Sequence, residues 1–137
     1  MKPTNVKFFA DSNVLLYLLS DERKKKEAAI GILKANPIIS TQVISENVCV
    51  LVKKFRHLDL SVIKDHVFLL KSYCTVVPLT MDTINKAIEI RERYGFQWYD
   101  ATILSAALLS ECSIIYSEDM QNNQLVFDDL KIVNPFI

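Results

Sequence analysis

Hydrophobic residues along the chain form two patterns: short apolar runs, and longer stretches in which apolar positions recur with helical spacing. A short apolar run bounded by polar or turn-forming residues is typical of a buried strand. Runs of this kind predict strands at residues 6–10, 38–40, 75–79, 113–116 and 131–134.

The stretches between these runs have helical spacing, and they predict helices at residues 14–19, 21–34, 41–55, 61–73, 80–95 and 99–109. Short polar side chains accept hydrogen bonds from the first free amides of a helix, so caps are expected at Asp21, at Thr41, and at Thr80 or Asp82. Gly95 is expected to end the fifth helix. The third helix should bury the face formed by Val43, Val48, Leu51 and Val52.

Strands that alternate with helices are typical of crossover units, in which a mainly parallel sheet is covered by helices on both faces. The chain has only two glycines and four prolines, and it contains no repeat or low-complexity tract that would indicate a linker. We therefore predict one α/β domain over residues 1–137, with a three-layer α/β/α architecture.

Half of the residues are apolar, which is enough for a substantial core without disulfide bonds. No apolar run approaches the roughly 20 residues needed to cross a bilayer, and the first residues lack the apolar core of a signal peptide. A cytoplasmic protein with no membrane association is expected. Cys49, Cys74 and Cys112 are interpreted as buried, reduced thiols, and His57 and His66 as ordinary surface or boundary residues.

Sixteen basic and sixteen acidic residues cancel, so net charge alone predicts no attraction to nucleic acid. Their distribution is uneven, because residues 1–80 carry 12 basic and 7 acidic residues and residues 81–137 carry 4 and 9. If the two halves meet in the fold, a basic rim can lie beside an acidic pocket.

Four acidic residues occupy positions that a parallel sheet would bring together. Asp11 and Asp119 each follow a predicted strand, while Glu46 and Asp100 lie in the early turns of predicted helices. The carboxyl ends of parallel strands and the starts of the following helices share one edge of such a sheet, where ligands bind. These four carboxylates are therefore expected to share one pocket.

Carboxylates in one pocket repel each other unless a cation compensates their charge. Oxygen ligands without His or Cys suit hard Mg²⁺ or Mn²⁺ ions, which can activate water and stabilise a phosphodiester leaving group. Each acid also has an ordinary interpretation, since Asp11, Asp100 and Asp119 could act only in turns, caps or helix dipoles and Glu46 could be a solvated helix residue.

Four segments resemble the motifs of the PIN-domain family in their order along the chain. These segments are D-S-N-V-L-L-Y at 11–17, V-I-S-E at 43–46, Y-D-A-T-I-L-S-A-A at 99–107 and S-E-D-M at 117–120. The resemblance spans nearly the whole chain, and it is strongest to the VapC-like toxin ribonucleases of type II toxin–antitoxin systems. It implies a PIN-like sheet with strand order 3-2-1-4-5.

The resemblance also implies that Asp11, Glu46, Asp100 and Asp119 are the catalytic, metal-binding acids of a Mg²⁺- or Mn²⁺-dependent endoribonuclease. Asn13 and Ser117 would orient water, metal or phosphate, although Asn13 could instead be a simple N-cap. Some relatives have another acid after the last motif, where this chain has Asn122 and Asn123, so a second metal would bind weakly or only with substrate.

An RNA substrate, a homodimer and an antitoxin are the implied partners. The first two predicted helices are the candidate docking surface for the antitoxin, although they could instead form core or dimer contacts. The rings of Trp98 and Tyr99 could stack on an unpaired base or form a partly buried wall. RNA phosphates could contact a set of basic residues that solvated helix faces explain equally well, namely Arg23, Lys24, Lys25, Lys26, Lys53, Lys54 and Arg56.

Three other functions remain open at this point. The chain could be a PIN nuclease in RNA processing without an antitoxin, or a non-catalytic nucleic-acid-binding PIN module. A phosphoaspartate receiver would need a lysine that faces the pocket from the end of the last strand, whereas Lys131 begins that strand.

Overall fold

The sheet contains six strands in the computed structural model, which describes residues 6–54 and 60–137. Its order is β3-β2-β1-β4-β6-β5, and every pair of neighbours is parallel except β5 and β6. The strands are β1 (Phe8–Ala10), β2 (Ile38–Ser40), β3 (Thr75–Val77), β4 (Ile114–Tyr116), β5 (Leu125–Val126) and β6 (Leu130–Val133).

Helices connect β1, β2, β3 and β4 in turn and complete a three-layer α/β/α architecture, as the pattern of the sequence predicts, whereas β4 is joined to β6 through β5. Helix α5 packs along α6, and α3 packs against α1 and α4. The helices are α1 (Ser12–Leu16), α2 (Arg23–Lys34), α3 (Thr41–Lys54), α4 (Ser61–Tyr73), α5 (Met81–Tyr94) and α6 (Trp98–Leu109), and a short 3₁₀ helix (Tyr17–Leu19) follows α1.

The predicted strand order is confirmed for the five parallel strands, but the sequence analysis missed β5. This strand has two residues and pairs antiparallel with β6 at the edge of the sheet. The turn between them has positive φ angles at Phe127 and Asp128, 52° and 59°, where glycine or asparagine would be the usual signal. A run this short, without a recognisable turn sequence, leaves no periodic pattern to detect.

Local capping differs from the prediction at two helices and agrees at a third. Asp21 precedes the N-cap of α2, which is Glu22, so the predicted Asp21 cap is wrong. Ser40 rather than Thr41 caps α3, because the Ser40 hydroxyl accepts from the Val43 amide at 3.4 Å. At α5, Thr80 is the N-cap rather than Asp82 and forms a reciprocal capping box with the third helical residue.

The ends of two helices can also be compared with the prediction. Gly95 follows α5 with a left-handed φ of 78°, as expected for the residue that ends a helix. The predicted helix at residues 14–19 is instead α1 followed by the 3₁₀ turn. Phe55, the predicted end of α3, lies outside the described residues, as do Arg56 and His57.

The buried face of α3 is not the apolar face that the pattern predicts. Val43 and Leu51 are buried as expected, but Val52 is exposed and the amide of Asn47 takes the place between them in the interior. Asn47 is buried because its side chain has specific hydrogen-bond partners, described below.

Helix α6 is the central helix of the core, with an unbroken run of buried residues from Ala101 to Ala107. Of the cysteines, Cys112 is buried and Cys74 is partly buried, but Cys49 is exposed, so its predicted burial is wrong. Within residues 6–54 and 60–137, none of the helices combines the length and apolarity required to cross a lipid bilayer.

Candidate active site at the carboxyl edge of the sheet

The four predicted acids lie at the edge where the parallel strands end. Asp11 directly follows β1 and is the N-cap of α1, because its Oδ1 accepts from the Ser12 amide at 2.7 Å. Asp119 lies in the loop after β4, Glu46 in the second turn of α3, and Asp100 in the first turn of α6. Four separate elements therefore supply the four side chains.

Asp11 is the most perturbed acid at this edge, since it is only 4% exposed. Burial raises the pKa of Asp11 from 3.8 to about 6, and the nearby carboxylates of Glu46 and Asp100 add to the increase. Hydrogen bonds from the Ser12 amide and the Ser117 hydroxyl oppose it. At neutral pH the folded protein therefore keeps the Asp11 carboxylate ionised, although its surroundings favour the protonated form.

Asp100 is half-buried and belongs to the same electrostatic cluster. Burial raises the pKa of Asp100, and the negative charges of Asp119 and Glu46 raise it further. Through these interactions each of the four acids is coupled to at least one other. The structure thus brings together all four acids that the sequence analysis selected.

The two supporting residues selected from the sequence both bond to Asp11. The Ser117 hydroxyl donates to Asp11 Oδ2 at 2.9 Å, and Asn13 Nδ2 approaches the same oxygen at 3.4 Å. Asn13 Oδ1 also accepts from the Glu118 amide at 3.1 Å, which ties α1 to the loop after β4. Asn13 lies inside α1, so the alternative that it is an N-cap is wrong.

Sequence reasoning missed two polar residues that bond to Glu46 and a third that fixes one of them. The Ser12 hydroxyl donates to Glu46 Oε1 at 2.8 Å, and Gln42 Nε2 donates to Glu46 Oε2 at 2.9 Å. Gln42 is itself fixed, because Thr102 Oγ1 donates to its Oε1 at 2.6 Å. Ser12 follows Asp11 directly and Gln42 precedes Glu46 by one helical turn, and these spacings were the available signals.

A buried pair on α3 and α4 supports the backbone at Ser12. Asn47 Nδ2 donates to the Ser12 carbonyl at 3.1 Å, which leaves Asn47 Oδ1 to accept from His66 Nε2 at 2.8 Å. His66 is 3% exposed, so its interpretation as a surface or boundary residue is wrong. Its Nδ1 is buried and has no partner within the described part of the chain.

The chemistry of this donor set fits a hard divalent cation. All four charged groups are carboxylates, and the pKa values of two of them are raised in part by the charges of the others, which is the situation that a cation relieves. The ligand geometry is not formed, since among residues 6–54 and 60–137 no three acidic, His or Cys side chains are arranged to hold one ion. On binding an ion, Glu46 and Asp11 would give up hydrogen bonds that they now accept from Ser12, Gln42 and Ser117, and would bind the ion instead.

One of the predicted RNA-contacting lysines is engaged within the protein. Lys25 Nζ lies 2.6 Å from Glu118 Oε2 and donates to the Tyr17 hydroxyl at 3.1 Å. The Tyr17 hydroxyl in turn donates to Glu118 Oε1 at 2.6 Å. The positive charge of Lys25 therefore anchors α2 to the loop that carries Asp119.

The asparagines after the last motif also have structural positions. Asn122 Oδ1 accepts from the Asn134 amide at 2.7 Å, and Asn123 has a left-handed φ of 71°. These residues shape the loop that leads from Asp119 to β5.

Several solved structures have the same fold as this chain. A toxin–antitoxin complex from Klebsiella pneumoniae aligns with a TM-score of 0.69 and 22% identity, over 95% of this chain and 98% of that one. VapC20 from Mycobacterium tuberculosis, a sarcin–ricin loop cleaving toxin, aligns with a TM-score of 0.61 and 17% identity, over 82% of this chain and 90% of that one. VapBC2 from Rickettsia felis, bound to a DNA fragment from its promoter, aligns with a TM-score of 0.70 and 13% identity, over 94% of this chain and 100% of that one.

At these identities the structural similarity establishes the fold alone. No curated protein matches the chain by sequence. The model of one family, the PIN domain, matches residues 8–126 and so includes all four acids at the carboxyl edge of the sheet. The chain therefore belongs to the PIN domain family.

Proposed function

We propose that this PIN domain is a metal-dependent endoribonuclease that acts in the cytoplasm as the toxin of a toxin–antitoxin pair. The observation that carries the proposal is the convergence of Asp11, Glu46, Asp100 and Asp119 from four elements on one edge of the sheet. Carboxylates whose charges raise each other's pKa values, one of them nearly completely buried, oppose folding when ionised, which favours a role in binding cations.

Asp11, Glu46, Asp100 and Asp119 would hold Mg²⁺ or Mn²⁺, which supplies a water of lowered pKa and positive charge toward a phosphodiester. The neighbouring side chains orient these acids. Ser117 positions Asp11 through its 2.9 Å hydrogen bond, and Ser12 and Gln42 hold the two oxygens of Glu46. Hydrolysis by activated water requires no covalent intermediate on the protein.

The similar structures support the choice of substrate and partner. VapC20 cleaves the sarcin–ricin loop, which favours RNA as the substrate of this chain. The Klebsiella pneumoniae and Rickettsia felis structures are toxin–antitoxin assemblies, which favours an antitoxin that silences the nuclease. We further propose a homodimer, with α1 and α2 as the surface on which the antitoxin docks.

The test is cleavage of single-stranded RNA by protein purified free of any inhibitor. We expect cleavage with Mg²⁺ or Mn²⁺ and none in the presence of chelator. Asp11→Asn and Asp100→Asn should each lower the rate roughly 100-fold or more, since each removes a ligand charge at the reacting centre. The measurement is initial rate on a labelled oligonucleotide.

Asp129→Asn is the matched control for this assay. Asp129 is exposed and lies in the turn before β6, at the opposite edge of the sheet, so its substitution should leave cleavage unchanged. Wild-type protein that cuts no RNA with either metal, or Asn variants that cut as fast as wild type, would rule out the nuclease.

A further inference from the structure

An open groove lies beside the carboxylates, between the starts of α3, α5 and α6, with a volume of about 380 Å³. Its walls are mainly apolar and include Leu79, Ile84, Trp98 and Tyr99. The polar residues on its walls are Thr41, Gln42, Ser45 and Thr102. A groove of this size with aromatic walls and few polar groups is typical of sites that bind a flat organic ring.

This groove and the carboxylate cluster share a wall. Gln42 lines the groove, and its Nε2 donates both to Glu46 Oε2 at 2.9 Å and to the Tyr99 carbonyl at 3.2 Å. Tyr99 is also the residue directly before Asp100. A ring bound in the groove would therefore lie next to a phosphate held at the acids.

The two aromatic side chains present free ring surface. Tyr99 is 68% exposed and Trp98 is 37% exposed, so the prediction of a partly buried wall is wrong for Tyr99. Across the described ranges, neither ring packs against another aromatic ring, whereas Tyr17, Tyr94 and Tyr116 each do. Proteins hold the bases of single-stranded nucleic acid by stacking them on exposed aromatic rings that lie beside a site for the sugar–phosphate backbone.

We propose that this groove binds one unpaired base of the RNA substrate, stacked on Tyr99 and Trp98, with the adjoining phosphate at the carboxylates. The inference rests on the proposed nuclease function and adds a subsite to it. Because most of the wall surface is apolar, and the side chains of Gln42 and Thr102 already bond within the protein, the site selects for an unstacked base more strongly than for one particular base.

Trp98 is the only tryptophan in the chain, so its fluorescence reports on the groove alone. The experiment titrates the protein with a labelled single-stranded RNA hexamer in Ca²⁺, which can occupy the carboxylates so that they accept a phosphate, after a control shows that Ca²⁺ supports no cleavage. A second hexamer has the same sugar–phosphate backbone but is abasic at all six positions, so that no change of register can place a base in the groove. We expect the intact hexamer to quench Trp98, and the abasic one to bind roughly tenfold more weakly with less quenching.

Tyr99→Leu should weaken hexamer binding roughly tenfold by anisotropy and raise KM for cleavage in Mg²⁺ or Mn²⁺ more than it lowers kcat. Tyr99→Phe keeps the ring and should restore both. Tyr73→Leu is the control, because Tyr73 is also exposed but precedes β3, at the opposite edge of the sheet. It should bind and cut as wild type does.

The outcomes separate this site from the nuclease proposal. If wild type cuts RNA but Tyr99→Leu binds and cuts equally well, with Trp98 emission unchanged by the hexamer, the base site is wrong and the nuclease stands. Base-dependent quenching without cleavage in either metal keeps the base site and rejects the nuclease. If Tyr99→Leu instead abolishes self-association and RNA causes no quenching, the groove is an interface between two copies, and the base site is rejected.

Discussion

Asp11 combines two properties that rarely coexist in one side chain, nearly complete burial and proximity to other acids. The pKa of Asp11 in the folded chain, about 6, lies above its ordinary value of 3.8. The folded state therefore binds the proton more tightly than the unfolded state between these values. This contribution to stability is fully present below pH 3.8 and is lost as pH rises through 6, so the ionised form opposes folding at pH 7.

Replacing this charge should stabilise the protein when metal is absent. We expect Asp11→Asn to raise the free energy of unfolding at pH 7 by about 1–3 kcal/mol, because the shift of the pKa by roughly two units corresponds to about 3 kcal/mol and Asn forms poorer hydrogen bonds. The gain should disappear toward pH 4. Urea denaturation in chelator at the two pH values measures it.

The same experiment has a metal arm and a control. Mn²⁺ should raise the free energy of unfolding of wild type, because an ion that binds only the folded chain stabilises it, and should raise that of Asp11→Asn less. Asp129→Asn, an exposed acid, should behave as wild type. Equal stability of wild type and Asp11→Asn at both pH values would show that Asp11 is not strained by its surroundings.

Among the secondary-structure elements, α3 and α4 are joined by a polar contact within otherwise apolar packing. His66 on α4 donates to Asn47 on α3, and Asn47 donates to the backbone of Ser12 in α1. Burial lowers the pKa of His66 from its ordinary 6.5, since a protonated ring would place an unpartnered N–H and a charge in the interior. The contact thus requires a neutral histidine.

Acid should weaken this helix pairing. In the unfolded chain His66 gains a proton as pH falls through 6.5, whereas the folded chain resists protonation, so stability is lost on acidification. Asp11 titrates in the same range with the opposite sign, and the measurement therefore uses the Asp11→Asn background. We expect that background to lose stability between pH 7 and pH 5, and His66→Gln to lose markedly less.

Thermal or urea unfolding at the two pH values gives the comparison. Glutamine can donate to Asn47 Oδ1 as the histidine does but does not titrate, so it separates hydrogen bonding from protonation. An identical pH dependence with and without His66 would mean that this histidine is not the acid-sensitive group.

At the scale of the whole molecule, part of the apolar surface remains exposed and available for assembly. Helices α3 and α4 pack together and yet expose large apolar side chains, among them Val50, Val52 and Phe68, the last 72% exposed. Apolar surface left exposed on one chain favours burial in an interface. This exposed apolar surface supports the proposed homodimer.

The assembly prediction concerns mass and activity together. Sedimentation of the purified chain should give twice its 15.7 kDa, and Phe68→Asp should shift the mass toward the monomer. Co-expression with the product of an adjacent small reading frame should yield a complex in which RNA cleavage is suppressed. A monomer at every concentration would reject the homodimer, and full activity in the complex would reject the antitoxin.

Much of the architecture follows from local sequence. The five parallel strands and the bounds of α4, α5 and α6 could be predicted because each element carries its own periodicity and its own end signal, such as Thr80 before α5 and Gly95 after it. The acids Asp11 and Asp119 could be selected for a similar reason, since Asp11 directly follows β1, Asp119 lies in the loop after β4, and parallel strands end at one edge.

Interactions between distant segments could not be predicted in this way. The burial of Asn47 and His66 depends on a hydrogen bond across 19 positions and on a carbonyl in another helix, and neither residue type indicates burial by itself. Whether Lys25 is free to contact RNA depends in the same way on its ion pair with Glu118, 93 positions away.

What the sequence determined by itself is therefore the set of elements, their order and the acids at one edge of the sheet, because these depend on periodicity and on neighbouring residues. The tertiary structure alone decided how strongly each acid is perturbed and which aromatic ring stays exposed. Those properties depend on desolvation and on Coulomb interactions, and both are set by distances in space rather than along the chain.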